Sequence, residues 1–267
     1  KSEREQQIRN MTVIYKEVED MLAVLRRAEV TVNCYEPKYS DADIARLSTT
    51  HPDSLKENEL LFAATLTDDL DTQLKIYKSA GSLYPKSWRA FNNAAAIYLK
   101  KGNVDEAAQL LEKANALNEG NGLVANNLGV IAAWNKDYEA AEAYYQQASA
   151  AGVGVVYNMG VINMIKGNYG TAVTGFSSKS CDYNLALAQL SNGDAAAATK
   201  TLDCIEDKDA AAYYLLSVIG ARTNNISMMV DNLKKAINLV PEYKNIAKKD
   251  AEFVKFFQKA EFTKLVN

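Results

Sequence analysis

The sequence predicts an all-α fold assembled from repeated helix-turn-helix units, and three observations carry that expectation. Breakers are scarce: 4 prolines and 13 glycines in 267 residues, beside abundant Ala, Leu, Asn and Tyr, favour helices joined by short turns. The pairs Gly102-Asn103, Gly167-Asn168 and Gly193-Asp194 each separate two stretches whose apolar residues lie three and four apart, and Lys136-Asp137 and Asn224-Asn225 fill equivalent slots. Counted from these turns, units begin at Ser54, Trp88, Gly122, Val153, Lys179 and Ala210, spaced 34, 34, 31, 26 and 31 residues apart.

Composition narrows the function classes. With 48% hydrophobic and 24% charged residues the chain is globular rather than disordered. A net charge of -3 from 30 basic and 33 acidic residues supplies no field for a nucleic-acid backbone or for an anionic bilayer surface. The longest apolar stretch, near Gly152 to Ile165, is interrupted by Asn158 and Asn163 and is shorter than a bilayer-spanning helix requires.

The elements follow in chain order, beginning with residues 1-53, which precede the repeats. Glu3 to Arg27 read as one helix, with Met11, Ile14, Val18, Met21 and Leu25 on a single stripe that something must cover. The covering surface is the array, a domain outside this sequence, or a second copy of the helix. Arg26 to Val32 then alternate polar and apolar as a strand does, until Glu36-Pro37 breaks the run. A helix entering this arginine pair and strand resembles the close of outer-membrane-protein-A-like, peptidoglycan-binding domains, without the segment that contacts peptidoglycan. That resemblance implies that the chain is the repeat half of a longer cell-envelope protein, linked to peptidoglycan through a domain not present here. The opening Lys1-Ser2-Glu3-Arg4 likewise reads as a piece of a longer product. Asp41 to Leu47 predict a short helix, and His51-Pro52-Asp53-Ser54 a cap for the first unit.

Residues 54-243 form the array. Its best unit runs Phe91, Ala94, Ala95, Tyr98, the Gly102 turn, then Ala107, Leu111 and Ala114; the next runs Leu128, Gly129, Ala132, then Ala141, Tyr145 and Ala148. Large residues make each helix's apolar stripe, and small ones mark where antiparallel helices approach closely. Pro85 and Pro241 end the second helices of their units. In the fourth and fifth units Lys179 and Ile205 replace the expected small residue and the units shorten, which predicts distortion there. Residues 244-267, with Ile246, Phe253, Phe256, Phe257, Phe262 and Leu265 at helical spacing among lysines, predict a capping helix for the open end of the array.

The period and the small-large pattern resemble the tetratricopeptide-repeat family, over Ser54 to about Tyr243. The resemblance implies an α-solenoid of about six units whose first helices line a concave groove, and a non-enzymatic role in binding an extended peptide or helix of a protein partner. The sixth residue of units two to five is Asn93, Asn127, Asn158 and Asn184 in turn. In the family an asparagine here often holds ligand main chain, and a side-chain amide offers the donor and acceptor that task needs. The alternative use of the same amides is a bond to a neighbouring helix. Arg89, Asn92, Asn126, Trp134, Tyr157, Tyr183, Tyr214 and Arg222 are directed toward the same groove, as anchors or as packing between units. The dense Lys and Arg set of carboxylate-clamping relatives is missing.

Catalytic chemistry finds little to work with. The single histidine, His51, precedes a proline at a predicted helix start and reads as a turn residue. No nucleophile elbow, zinc-protease, phosphate-loop or dinucleotide motif occurs, and the cysteines lack metal spacing, so no cofactor or metal is expected. Cys181 and Cys204 fall near the start and the end of the two antiparallel helices of one unit, as a disulfide or as two buried thiols. Two other functions stay open: an assembly or dimerisation module using the N-terminal stripe, and engagement of the cell wall. A periplasmic or envelope location follows from the resemblance, with the cytoplasm as its alternative.

Overall fold

The structure is a computed structural model that describes residues 39-267; the predicted helix over Glu3 to Arg27 and the strand-like Arg26 to Val32 lie outside the described residues. Fifteen α-helices follow one another here. Helix α1 (Asp41–Thr50) leads through a 3-10 turn at Pro52–Ser54 into six antiparallel hairpins. These are α2 (Glu57–Ala63) with α3 (Leu70–Leu83), α4 (Trp88–Lys100) with α5 (Val104–Leu117), and α6 (Gly122–Trp134) with α7 (Tyr138–Ala150). Then come α8 (Val156–Ile165) with α9 (Tyr169–Phe176), α10 (Tyr183–Ser191) with α11 (Ala195–Asp203), and α12 (Ala210–Arg222) with α13 (Ile226–Leu239). From the second hairpin on, each packs first within itself and then against its neighbours in sequence, while α3 of the first packs more on α4 than on α2, the arrangement of an α-solenoid.

Local chemistry places the helix starts. Side chains of Asp69, Ser87, Asn121, Asp137, Asp182, Asp194, Asp209 and Asn225 each accept a hydrogen bond from a backbone N–H in the first turn of the helix they precede, satisfying donors the helix itself cannot. Helix α2 differs: it begins at Glu57 rather than at the predicted Ser54 cap, because Glu59 reaches back to the Lys56 N–H at 2.8 Å and closes the first turn there. His51 opens the preceding 3-10 turn and makes no side-chain cap bond.

The turns of the second to sixth hairpins share one backbone requirement. Gly102, Lys136, Gly167, Gly193 and Asn224 occupy the same slot with φ of 77, 63, 81, 91 and 57°. A left-handed residue there reverses the chain in two steps, and glycine reaches it without a Cβ clash. Lys136 sustains it at a cost of about 1 kcal/mol. Lys136→Gly is therefore expected to raise stability by about 0.5–1 kcal/mol, measured as a higher urea midpoint.

Small residues sit where hairpin helices touch. A Cβ on Gly129 would lie 2.5 Å from the Tyr145 ring, one on Gly160 2.8 Å from the Phe176 ring, and one on Gly175 2.9 Å from the Cα of Gly160. Along the core, Leu60, Ile76, Leu111, Ile162, Leu202 and Leu233 are fully buried, each contributing about 2 kcal/mol of apolar transfer. Helices α8 to α11 have only 8 to 10 residues against 13 or 14 in α3 to α7, α12 and α13, which shortens the middle of the array.

The end of the array departs from a single capping helix. It breaks into α14 (Tyr243–Ala247), a 3-10 turn over Ala251–Phe256 and α15 (Ala260–Val266). Asp250 caps the 3-10 segment through Glu252 N–H, and Phe253 and Phe256, three apart, fall on one edge of a three-residue turn. With Phe262 they are buried against α12 and α13, closing the last hydrophobic cluster.

Candidate functional site

The first helices carry a common face. In α6, Leu123, Asn126 and Asn127, Val130 and Trp134 recur at intervals of three and four and so lie on one side; in α8 the set is Tyr157 and Asn158, Val161 and Ile165, and in α4 it is Arg89, Asn92 and Asn93, Ala96 and Lys100. The predicted asparagines occupy the middle of this face.

Their amides are joined to each other across unit boundaries. Asn92 Nδ2 donates to Asn93 Oδ1 at 3.3 Å, and Asn127 Nδ2 donates to Asn92 Oδ1 at 3.0 Å. Asn126 Nδ2 in turn donates to Asn127 Oδ1 at 3.2 Å, and Asn158 Nδ2 to Asn126 Oδ1 at 2.8 Å. The result is a polar seam through three successive units. Next to it Tyr157, the neighbour of Asn158, takes over: its hydroxyl accepts from Asn184 Nδ2 at 2.8 Å and donates to both Asp182 carboxylate oxygens at 3.1 and 3.0 Å. The seam starts at Tyr77 of α3, which bonds Asn93.

This seam joins the two uses the sequence left open. The amides do bond neighbouring helices, yet each chain link consumes one donor and one acceptor of groups that have two of each. Asn92 is buried at 5% exposure, while Asn93, Asn126, Asn127, Asn158 and Asn184 are half-buried and keep part of their surface outward. Low polarity around the seam shows in its hydroxyls. Burial raises the Tyr77 pKa above the ordinary phenol value, with the Asn93 bond opposing; burial also raises that of Tyr157, opposed by Asn184 and reinforced by the Asp182 carboxylate.

Flanking the amides are exposed apolar side chains. Trp134 is 59% exposed, Leu123 49% and Ile165 47%. Only Trp134 was anticipated; Leu123 and Ile165 were discoverable from their positions three before Asn126 and seven after Asn158. Arg89 is exposed, its guanidinium 4.9 Å from the Trp88 ring centroid, and Lys179 stands 4.6 Å over the Tyr157 ring. Tyr183 is half-buried against the last cluster.

Tyr214 and Arg222 of α12 have their polar groups engaged by the closing segment. The Tyr214 hydroxyl donates to Asp250 at 2.6 Å, and Arg222 grips Glu252 through Nε at 2.9 Å and a second nitrogen at 2.5 Å. Both tie α12 to the cap. Burial, then the Asp250 bond, pushes the Tyr214 hydroxyl strongly up, and the Glu252 bond raises the Arg222 guanidinium. Their sequence positions matched the groove pattern, and only the return of the C-terminal segment decides that their polar groups serve closure.

The structure joins Cys181 and Cys204 by a disulfide, with Cα atoms 5.4 Å apart, so the thiol alternative gives way. Both residues are exposed, because the α10–α11 hairpin is short and its open end lies at the surface. Among the described residues no group of three His, Cys, Asp or Glu is placed to hold a metal, and no helix is long and apolar enough to cross a membrane.

The comparisons agree with this architecture. The family model described as tetratricopeptide repeat matches residues 89–121. Among solved structures, a chain of the APC/C hetero-tetramer Cut9-Hcn1 is similar at 15% identity and a TM-score of 0.65, over 82% of this chain and 46% of that one. PilW, a type IV pilus biogenesis factor, is similar at 16% identity and a TM-score of 0.57, over 79% of this chain and 98% of PilW. A tetratricopeptide repeat protein from Parabacteroides merdae gives 17% identity and a TM-score of 0.55, over 85% and 91% of the two chains. PilF of Pseudomonas aeruginosa gives 16% and 0.53, over 79% and 97%.

Proposed function

We propose that this chain, which has the tetratricopeptide-repeat fold, is a non-catalytic scaffold that holds an extended peptide or a helix of a protein partner against the first-helix face of its second to fifth units. The observation that carries the reading is the amide seam flanked by exposed apolar residues. Spare amide N–H and C=O groups of Asn93, Asn126, Asn127 and Asn158 match the main-chain groups of an extended peptide, whatever its sequence. Trp134, Leu123 and Ile165 supply the surface a partner can desolvate, and tryptophan is among the residues that carry most binding energy when so covered. Arg89 and Tyr183 flank the same face; Tyr214 and Arg222 contribute by holding the closing segment.

An envelope location is part of this proposal. It draws on the fold shared with a type IV pilus biogenesis factor, and on the outer-membrane-protein-A-like resemblance around Arg26 to Val32. A link to peptidoglycan would run through a domain outside this sequence.

The test displays dye-labelled extended and helical peptides to the full chain and follows their fluorescence anisotropy. Trp134→Ala with Leu123→Ser is expected to leave the circular dichroism and urea midpoint unchanged and to weaken selected peptides at least about tenfold, the usual scale for a lost aromatic anchor. Peptides that bind wild type and this variant equally would move the function off this face.

A further inference from the structure

We propose that the Cys181–Cys204 disulfide is a thiol–disulfide exchange site for a dithiol reductant, and that opening it releases the Asp182–Tyr157–Asn184 end of the polar seam. Access supports the first part. Both cysteines are exposed, and they border a surface cavity of about 490 Å³ whose other walls include Val173, Ser177, Leu185, Gln189 and Thr201, room for a thiol-bearing side chain to approach the bridge.

The direction of attack follows from the helix ends. Cys181 immediately precedes Asp182, the N-cap of α10, so a thiolate released there faces the positive end of that helix; Cys204 is the C-cap of α11, at a negative end. The reductant thiolate therefore attacks Cys204 Sγ, the S–S bond breaks, and Cys181 leaves as thiolate and takes a proton. The reductant's second thiol then displaces Cys204 from the mixed disulfide. Two electrons and two protons pass to the cysteines, and the dithiol becomes a disulfide.

The consequence follows from what the bridge holds. Residues 177–182 connect α9 to α10, and the disulfide ties this connection to the end of α11. The same connection supplies Lys179, 4.6 Å over the Tyr157 ring, and the Asp182 carboxylate, which accepts the Tyr157 hydroxyl at 3.0 Å while capping Leu185 N–H at 3.0 Å. That hydroxyl in turn holds Asn184. Without the tie, the segment that orients Tyr157 and Asn184 is anchored by non-covalent contacts alone, these among them. Any effect on partner binding rests on the proposed function; the exchange and the loosening do not.

The experiment treats the full chain with millimolar dithiothreitol under native conditions, alkylates, maps the labelled cysteines, and follows amide hydrogen exchange. Labels at Cys181 and Cys204 are expected while the helical signal is retained, with exchange over residues 177–186 about tenfold faster or more and that over 89–134 unchanged. Cys181→Ser with Cys204→Ser should show the faster exchange with or without dithiothreitol. Labelling only in denaturant that unfolds the array, or full labelling with exchange over 177–186 unaltered, would overturn the proposal. No partner is used, so a failure of the groove reading leaves this test intact.

Discussion

Gly220→Val is expected to cost about 3 kcal/mol or more and to unfold the C-terminal hairpin ahead of the rest of the array. At this position α12 and α13 meet backbone to backbone: a Cβ would stand 2.5 Å from Met229 N, 2.9 Å from Met229 Cα and 3.0 Å from Asn225 O. None of those atoms is the end of a flexible side chain that can swing away. The helices must separate, and separation opens the cluster in which Met229, Leu233, Ile219 and Phe253 are fully buried, so overpacking is compounded by lost contact. Because a solenoid couples each unit only to its neighbours, the loss stays local. Hydrogen exchange should rise first over α12 to α15 while α4 to α7 keep their protection, and a uniform rise along the chain would contradict this picture.

Asn92→Leu is expected to lower stability by about 2 kcal/mol although leucine has the same branched outline and is more apolar. Asn92 is buried and lies between two other amides: it donates to Asn93 Oδ1 and accepts from Asn127 Nδ2. Removing it leaves an acceptor and a donor unpaired in a half-buried row, and an orphaned buried polar group costs about 1–3 kcal/mol. Changing the partner as well should recover part of that loss, since Asn92→Leu with Asn127→Leu removes both ends of the same bond. A urea-melt double-mutant cycle reads the coupling directly; strictly additive costs would mean that the seam does not act as a connected network.

The same residues show how far sequence reasoning reached. The helical hairpins were legible because their causes are local: apolar spacing, capping side chains such as Asp137 and Asp194, and a left-handed slot after five of the six first helices. Lys136 and Asn224 could be aligned with the glycines because they stand between matching stripes, and the structure gives them the same positive φ. The asparagine row was legible as a row, because equivalent positions in stacked units must fall near one another. Which partners those amides choose was not, since Asn92–Asn127 and Asn126–Asn158 bonds depend on the rotation and offset between units, set by contacts such as Gly81 against Phe91.

Long-range returns of the chain were harder still. Tyr214 and Arg222 carry the groove pattern in sequence, yet Asp250 and Glu252 come back more than a helical hairpin later to bind them. The three-part cap could not be distinguished from one helix by its phenylalanine spacing alone, and cysteine's habit of packing as a small core hydrophobe favoured two thiols at Cys181 and Cys204, where the short α10 and α11 instead bring both together at the surface. The sequence by itself determined the class of fold, the hairpin turns and the positions of the small residues, governed by spacing within one helix and by the turn that joins two adjacent ones. Tertiary structure alone decided the continuity of the amide seam, the disulfide and the closing contacts of the cap, because each requires the summed geometry of several packed helices to bring distant side chains within bonding distance.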